Sequence, residues 1–416
     1  MSGKVVITGL GTVNPVGNSV AETWDNLLAG KSGIDRVKAF EPEQWDLKCH
    51  IAGEVTGIDP AEILGKKEAR RLDRFSQMAL LAANQAMEQS GLVPEGEDRY
   101  EVGTLVGTGI GGANTLVDQS YAVRERGARR VNPFTVPMLM PNAGSGIISI
   151  KFNAWGPSFA TVSACASAAD AIGVAMDIIR SGRAKAMITG GSEAAIIPVC
   201  LAGFEQAHAL NTDSNENPKL ASMPFDRDRS GFVLSEGSGI LILEDEDFAR
   251  ERGANIIAEL AGYGAATDGH HITAPEPEGR GATRAVSTAL KNAHLNIDDV
   301  AHINAHGTST VMNDKMESLV INRLFNSAGN RVPVTSTKSM SGHLGGAAGA
   351  LEAVVSVKTV ESGWIPPTIN YDTPDPECDI EVVAPHAREL GSGAVLSNSF
   401  GFGGHNSCLA FRTYGG

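Results

Sequence analysis

Short apolar runs rich in β-branched residues, most of them closed by glycine, alternate along the chain with longer segments whose apolar positions recur at helical spacing. In the first half KVVITGLG, YEVGTLVGTG, AKAMITGG and GSGILILED are strand-like: Val, Ile and Thr suit a pleated, half-buried surface, and the glycines mark turns. Residues 71–89 and 166–180 read as helices between them. The alternation predicts an α/β chain with parallel strand pairing. A second series keeps a similar order: NIIAELAGYG, AVSTALKNAHL, VAHINAHGTST, RVPVTSTKSM, GGAAGALEAVVSVKTV, SGAVLSNSFGFGG and SCLAFR. Recurrence at about half the chain length points to duplicated halves instead of a solenoid. The junction falls at residues 247–255, which divides the chain into 1–250 and 251–416.

Two of the helices lack a polar face. From Ala166 the small or apolar positions include Ala169, Ile172, Gly173, Met176 and Ile179, with polarity concentrated at Asp177 and Arg180. The other starts near Gly346 and runs through Ala347, Ala350, Leu351, Val354 and Val357, interrupted chiefly by Glu352. Helices apolar nearly all round are buried. Their Gly and Ala content allows close approach between two sheets, which predicts an α-β-α-β-α sandwich.

At 416 residues the chain exceeds the size of a single growing core. Its hydrophobic fraction of 42% is ordinary for a globular protein and argues against disorder and a membrane span. A net charge of −14 opposes nucleic-acid binding. The opening MSGKVVITGLG has no basic or long apolar leader, so export is not expected. Cys49, Cys165, Cys200, Cys378 and Cys408 are scattered without CxxC spacing, which suits reduced thiols in the cytoplasm.

Candidate chemistry begins in SACAS. Cys165 sits among Ser and Ala, and a helix starting near it would favour the thiolate through its unpaired N–H groups and dipole. An isolated cysteine is more often an inert packing group. Two histidines change that balance: His306 in INAHGTST, and His343 in TSTKSMSGHLGGAAGALE, where Lys338 precedes it. Each ends a β-run and enters a Gly-containing loop, where functional groups collect in α/β folds.

SACAS, NAHGTST, KSMSGHLGGAAGALE and NSFGFGGHN, in that order, closely resemble the β-ketoacyl-[acyl-carrier-protein] synthase family, particularly the elongating type II enzymes. The resemblance extends over nearly the whole chain, including GTGIGGA, PFDRDRSGFV and IPPTINYDTPDPE. It implies a thiolase-like fold with two similar halves, a homodimer, and decarboxylative condensation of an acyl group with malonyl-acyl carrier protein. Cys165 would hold the acyl chain, completing a triad with His306 and His343, with Lys338 in an electrostatic role. The N–H groups of Cys165 and Phe402 would form an oxyanion site, with Gly401 and Gly403 in a mobile gate. Thr308 and Thr310 would bind the phosphopantetheine arm brought by the carrier protein. Ile110 and Phe400 would contact the acyl chain. No cofactor is implied for the chemistry; a structural Na+ or K+ would sit at Asn304, Glu352, Ser397 and Asn398, a salt bridge from Glu352 to Lys338 being the simpler alternative.

An acidic carrier protein needs a local basic surface. Lys67, Arg70 and Arg71 supply one cluster, with Arg70 and Arg74 spaced to share a helix face, and Arg129 and Arg130 supply another. Asp213 stands where the family often has a basic residue, Gly345 replaces a common Leu, and Ser235 occupies a usual glycine position. His405 stands where many members have Thr. A polyketide or mycolic-acid-type ketosynthase is the nearest alternative. A CoA-dependent thiolase fits less well, because the late cysteines lack its CxG motif. A noncatalytic scaffold subunit would lose the nucleophile, and GLGTVNPVG and GTGIGG lack the full dinucleotide-binding GxGxxG spacing.

Overall fold

The computed structural model describes residues 3–326 and 331–415; Met1 and Ser2 of the opening segment lie outside them. Strands β1 (Val5–Val13), β2 (Val102–Gly107), β3 (Ser158–Phe159), β4 (Ala186–Glu193) and β5 (Gly237–Asp245) lie in the spatial order β1-β5-β4-β2-β3. Strands β6 (Ala258–Thr267), β7 (Val300–Asn304), β8 (Pro333–Thr335), β9 (Ala394–Gly401) and β10 (His405–Arg412) repeat that order as β6-β10-β9-β7-β8. The sense of pairing repeats as well. In each set the first two contacts are antiparallel and the last two parallel. The sheets are therefore mixed, whereas the alternating sequence pattern led to an expectation of parallel pairing; in each set the last strand in sequence, β5 or β10, inserts between two neighbours and runs antiparallel to both, β10 through a tight hairpin and β5 after the long segment 194–236.

The two sets are also joined. β1 pairs with β6 through Val5–Leu260 and Ile7–Ala258, giving one hydrogen-bonded sheet of eleven strands, completed by Glu381–Val382 beside β8. Helix α1 (Arg74–Ser90) covers the outer face of the first set. Helices α2 (Ser167–Arg180) and, later in the chain, α5 (Ala348–Ser362) pack together between the sets. Helix α3 (Arg280–Ala293) covers the second set from outside, with α4 (Val311–Phe325) against it. These are five layers.

The outer packing carries the duplication down to single residues. On β1, a Cβ at Gly9 or Gly11 would lie 2.1 or 1.9 Å from the carbonyl oxygens of Ala86 or Ala82 in α1. On β6, a Cβ at Gly262 or Gly264 would lie 2.4 or 2.1 Å from those of Ala289 or Ala285 in α3. In both halves a G-x-G strand lets a helix seat its alanine backbone directly on the sheet. The central helices also lie close, though less so: a Cβ on Gly349 of α5 would meet the Ala169 nitrogen of α2 at 3.0 Å.

Helix boundaries differ modestly from expectation. Asp73 caps α1 by accepting the Phe75 N–H at 3.2 Å, so the helix starts at Arg74 and not at 71. Arg70 closes a separate turn, Lys66–Ala69, so Arg70 and Arg74 do not share a helix. Arg74 instead forks onto Glu236, with Nε at 2.7 Å from Oε2 and Nη2 at 2.5 Å from Oε1. Among the described residues no helix is long and apolar enough to cross a membrane, and all five cysteines are unpaired.

Candidate active site

The tip of the loop before α2 carries Cys165. Ala164 takes a positive φ of 50°, a costly conformation for a residue with a Cβ, and Cys165 stands two residues ahead of the first helical residue, Ser167. The second half brings the histidines to it. His306 follows β7. His343 is held by a bridge to residues 233–235, in which its N–H donates to the Val233 carbonyl at 2.8 Å and its carbonyl accepts the Ser235 N–H at 2.9 Å.

Three chemistry-bearing groups meet here. His343 Nε2 is 3.0 Å from Cys165 Sγ. The sulfur and one nitrogen of each histidine lie within 4.8 Å of one another. The imidazoles meet edge to face, with centroids 5.3 Å apart. Phe232 packs on His343 and Phe400 on His306, so the rings are held by aromatic contacts. A cavity of ≈ 240 Å³ opens onto the group and is lined also by Thr308, Thr310, Phe400 and Phe402.

Electrostatics define the resting state. Burial pushes the Cys165 thiol up to about 11, opposed by the Lys338 charge and the Phe402 N–H. Desolvation thus outweighs the thiolate-favouring effect expected from the helix end, and the thiol stays protonated at neutral pH. Burial, then the Lys338 charge, holds both histidines well below the usual imidazole value, so both are neutral. Lys338 Nζ lies 3.5 Å from His306 Nδ1. An ammonium can only donate, so Nδ1 accepts and the His306 proton sits on Nε2.

Lys338 also forms a buried ion pair with Glu352 Oε1, the simpler of the two roles expected for Glu352. Its Oε2, however, has no hydrogen-bond partner, and neither do Asn304 Oδ1, Ser397 Oγ or Asn398 Oδ1. All four side chains are buried, and Asn304 and Ser397 face each other across β7 and β9. Asn304, Ser397 and Glu352 share the α5 side of the sheet and suit a hard cation, whereas Asn398, the next residue along β9, points to the opposite face, where its Nδ2 donates to Glu317 of α4 at 3.1 Å.

The gate residues form a tight turn in which Gly404 N–H donates to the Gly401 carbonyl at 3.1 Å and Gly403 N–H to that of Ile272 at 2.7 Å. Gly403 and Gly404 take φ of 84° and 75°, while Gly401 does not use the left-handed region. The Thr308 and Thr310 hydroxyls are 2.9 Å apart. Ile110 lies outside the cavity lining and is 42% exposed on the single chain. Lys67, Arg70, Arg71, Arg129 and Arg130 are all exposed. Arg71 stacks on Phe134 at 4.9 Å, which draws the two basic segments together.

Sequence reasoning missed the acids that hold this framework. Glu317 of α4 accepts the N–H groups of His306 at 2.9 Å and Gly307 at 2.8 Å, and its burial pushes it up to about 7. Arg229, buried against Asp314 and Asp375, donates to the carbonyls of Thr310 and Val311 and so fixes the threonine loop. Asp170 of α2 accepts from Ser163, Tyr263 and Ser407, linking the cysteine loop to the second half. Acidic residues on otherwise buried helix faces were the available signal.

Residues 2–249 match the family described as beta-ketoacyl synthase, N-terminal domain, and residues 257–372 match its C-terminal domain. The chain belongs to the β-ketoacyl synthase family, a class of thiolase-fold acyltransferases. Within it, the chain is 47% identical over 411 residues to 3-oxoacyl-[acyl-carrier-protein] synthase 2 of Synechocystis sp., covering 99% of this chain and 98% of that protein. It is 44% identical to the synthase 2 of Staphylococcus aureus, with the same coverage. Among solved structures it is similar to a type II polyketide ketosynthase in complex with its acyl-carrier protein and bound to a hexaketide, with a TM-score of 0.91, 33% identity and 99% of each chain covered. A beta-ketoacyl synthase from Burkholderia phymatum gives a TM-score of 0.90 at 33% identity, again over 99% of each chain.

Proposed function

We propose that this chain catalyses decarboxylative condensation of an acyl group, carried on Cys165, with malonyl-acyl carrier protein in fatty acid elongation. The observation that carries the reading is the 3.0 Å approach of His343 Nε2 to the Cys165 sulfur, with His306 facing the same space. In the first half-reaction Sγ bonds to the acyl carbonyl carbon and the bond from that carbon to the pantetheine sulfur breaks. The thiol proton passes through His343 to the leaving sulfur. In the second, malonyl thioester loses CO2 and the electron pair remains as an enolate, whose oxygen accepts the His306 Nε2–H. That charge is stabilised without an imidazolium because the ring is buried and neutral. The enolate carbon then attacks the acyl group, the bond to Sγ breaks, the departing thiolate takes up a proton from solvent through His343, and β-ketoacyl carrier protein leaves. The N–H groups of Cys165 and Phe402 serve the acyl oxygen, and Gly401 and Gly403 let the Phe402 turn move.

Thr308 and Thr310 would hydrogen-bond the phosphopantetheine arm and Phe400 would contact the acyl chain, all three lining the cavity; Ile110, outside that lining, would reach the acyl chain only if the pocket extends beyond it. The carrier protein docks on Lys67, Arg70, Arg71, Arg129 and Arg130. The protein works as a homodimer in the cytoplasm, where its unpaired cysteines stay reduced. Residues 1–250 carry the nucleophile and 251–416 both histidines. Asn304, Glu352 and Ser397 would hold Na+ or K+, which would supply only structural charge balance. K+ or Na+ is expected to raise the thermal midpoint relative to choline at equal ionic strength; equal midpoints would remove the ion from the account.

Incubation with acyl carrier proteins of graded chain length and malonyl carrier protein, followed by mass spectrometry, tests the reading. One two-carbon extension per cycle with CO2 release is expected, abolished in Cys165→Ala. Unreduced products of several extensions would reassign it to polyketide synthesis.

A further inference from the structure

One buried carboxylate beside the triad has no part in the chemistry above. Glu193 ends β4 and is 1% exposed. Its Oε1 accepts the Thr108 hydroxyl at 2.9 Å and the Ile110 N–H at 3.3 Å; its Oε2 accepts the N–H of Gly109 at 2.6 Å and of Gly346 at 2.9 Å. Each oxygen is therefore met by donors. Burial pushes the Glu193 carboxyl above the usual carboxylate range, opposed by these four donors; a proton on either oxygen would displace one of them, so the geometry favours the ionised form.

The donors come from two loops that meet at this carboxylate. Residues 108–111 follow β2 and reach the nucleophile loop: a Cβ on Gly109 would lie 2.8 Å from Glu193 Oε2 and 3.7 Å from the carbonyl of Ala164, the residue before Cys165. Gly346 lies three residues beyond His343, and a Cβ on it would strike the Gly109 nitrogen at 2.1 Å. Gly345, at φ 55°, sits against the carboxylate's stem, where a Cβ would meet Glu193 Cγ at 3.2 Å. Two loops, one beside the sulfur and one carrying the imidazole, share a single buried anion.

We propose that Glu193 is a positioning residue for condensation: a fixed anion that locks the Gly109 and Gly346 loops together and so sets His343 against the Cys165 sulfur. The inference rests on the reading of Cys165 as the acyl carrier. The charges facing the thiol are Lys338, which favours the thiolate, and Glu193 and Glu352, which oppose it, with neutral His306 and His343 alongside; Cys200 also faces Glu193. Neutralising Glu193 thus has two effects of opposite sign, an easier thiolate and a misplaced imidazole, which a purely structural residue would not produce together.

The test compares wild type, Glu193→Gln and Thr108→Val. Iodoacetamide alkylation of the Cys165 peptide is followed by mass spectrometry as a function of pH, beside the kcat and KM of condensation. Glu193→Gln is expected to lower the alkylation midpoint by about one pH unit and to reduce kcat by about tenfold, with the acyl-donor KM within about twofold. Thr108→Val keeps the carboxylate but removes one donor. It is expected to lose about threefold in kcat with no downward shift of the midpoint. A Glu193→Gln enzyme with wild-type midpoint or wild-type kcat overturns the proposal. If that variant does not fold, Thr108→Val decides: the kcat loss at unchanged KM supports the clamp, and a wild-type kcat overturns it. A wild-type protein that never forms acyl-Cys165 would instead overturn the assigned reaction.

Discussion

At the scale of single residues, the site is governed by burial opposed by one lysine. Lys338 pairs with Glu352, orients the His306 tautomer and is the only described cation among the charges acting on Cys165. Lys338→Met therefore leaves Glu352 buried and unpaired, and frees His306 Nδ1 to take the proton. Its effect on the thiol has a definite sign: a positive charge is lost, so the thiol pKa rises further above about 11 and alkylation shifts to higher pH. Condensation is expected to fall by about a hundredfold or more, while acyl transfer to Cys165 survives at a reduced rate. A midpoint unchanged or lowered would contradict this electrostatic role. The cysteine and both histidines were legible in the sequence because each interrupts an apolar run at a small-residue loop. Glu193, Glu317 and Asp170 were not, because their partners are mostly backbone N–H groups or hydroxyls of other elements and loops, brought to them by the fold, which no local pattern reveals.

At the scale of elements, the Gly and Ala content of α2 and α5 correctly signalled their central contact, where Gly349 leaves no room for a Cβ against Ala169. The strand runs were legible as well, but their sense was not, since an apolar run reads alike in a parallel or antiparallel neighbour. β3 stands at the end of the sheet with an open edge. Phe159 on that edge, with Ile110, Phe134, Ile150 and Val162 from the same part of the chain, exposes large apolar surface. Such a strand calls for a partner, and the proposed homodimer supplies one. Sedimentation equilibrium is expected to give twice the chain mass at micromolar concentration; a single-chain mass throughout would contradict the dimer.

At the scale of the molecule, a chain with net charge −14 would receive an acidic carrier protein, as proposed, on a local patch of opposite sign. Arg129→Glu with Arg130→Glu is expected to raise the KM for acyl carrier protein by about tenfold, weakening its salt dependence, and to leave turnover of a small acyl-pantetheine thioester unchanged. Equal effects on both substrates would mean that the patch supports the fold instead of the partner. The duplication was visible as two similar series of runs, and the folded chain repeats it in strand order, strand sense and the G-x-G seats of α1 and α3. The joining of the two sets through β1 and β6 was not visible, because it rests on only three residue pairs.

The central claim is that one sulfur carries the acyl group between two carrier-bound partners. Intact-protein mass spectrometry tests it directly. Acyl carrier protein alone is expected to add one acyl mass, located on Cys165, and malonyl carrier protein is expected to discharge it with release of CO2 and β-ketoacyl product. Product formed by a protein that never gains the acyl mass, or by Cys165→Ala at the wild-type rate, would contradict the account.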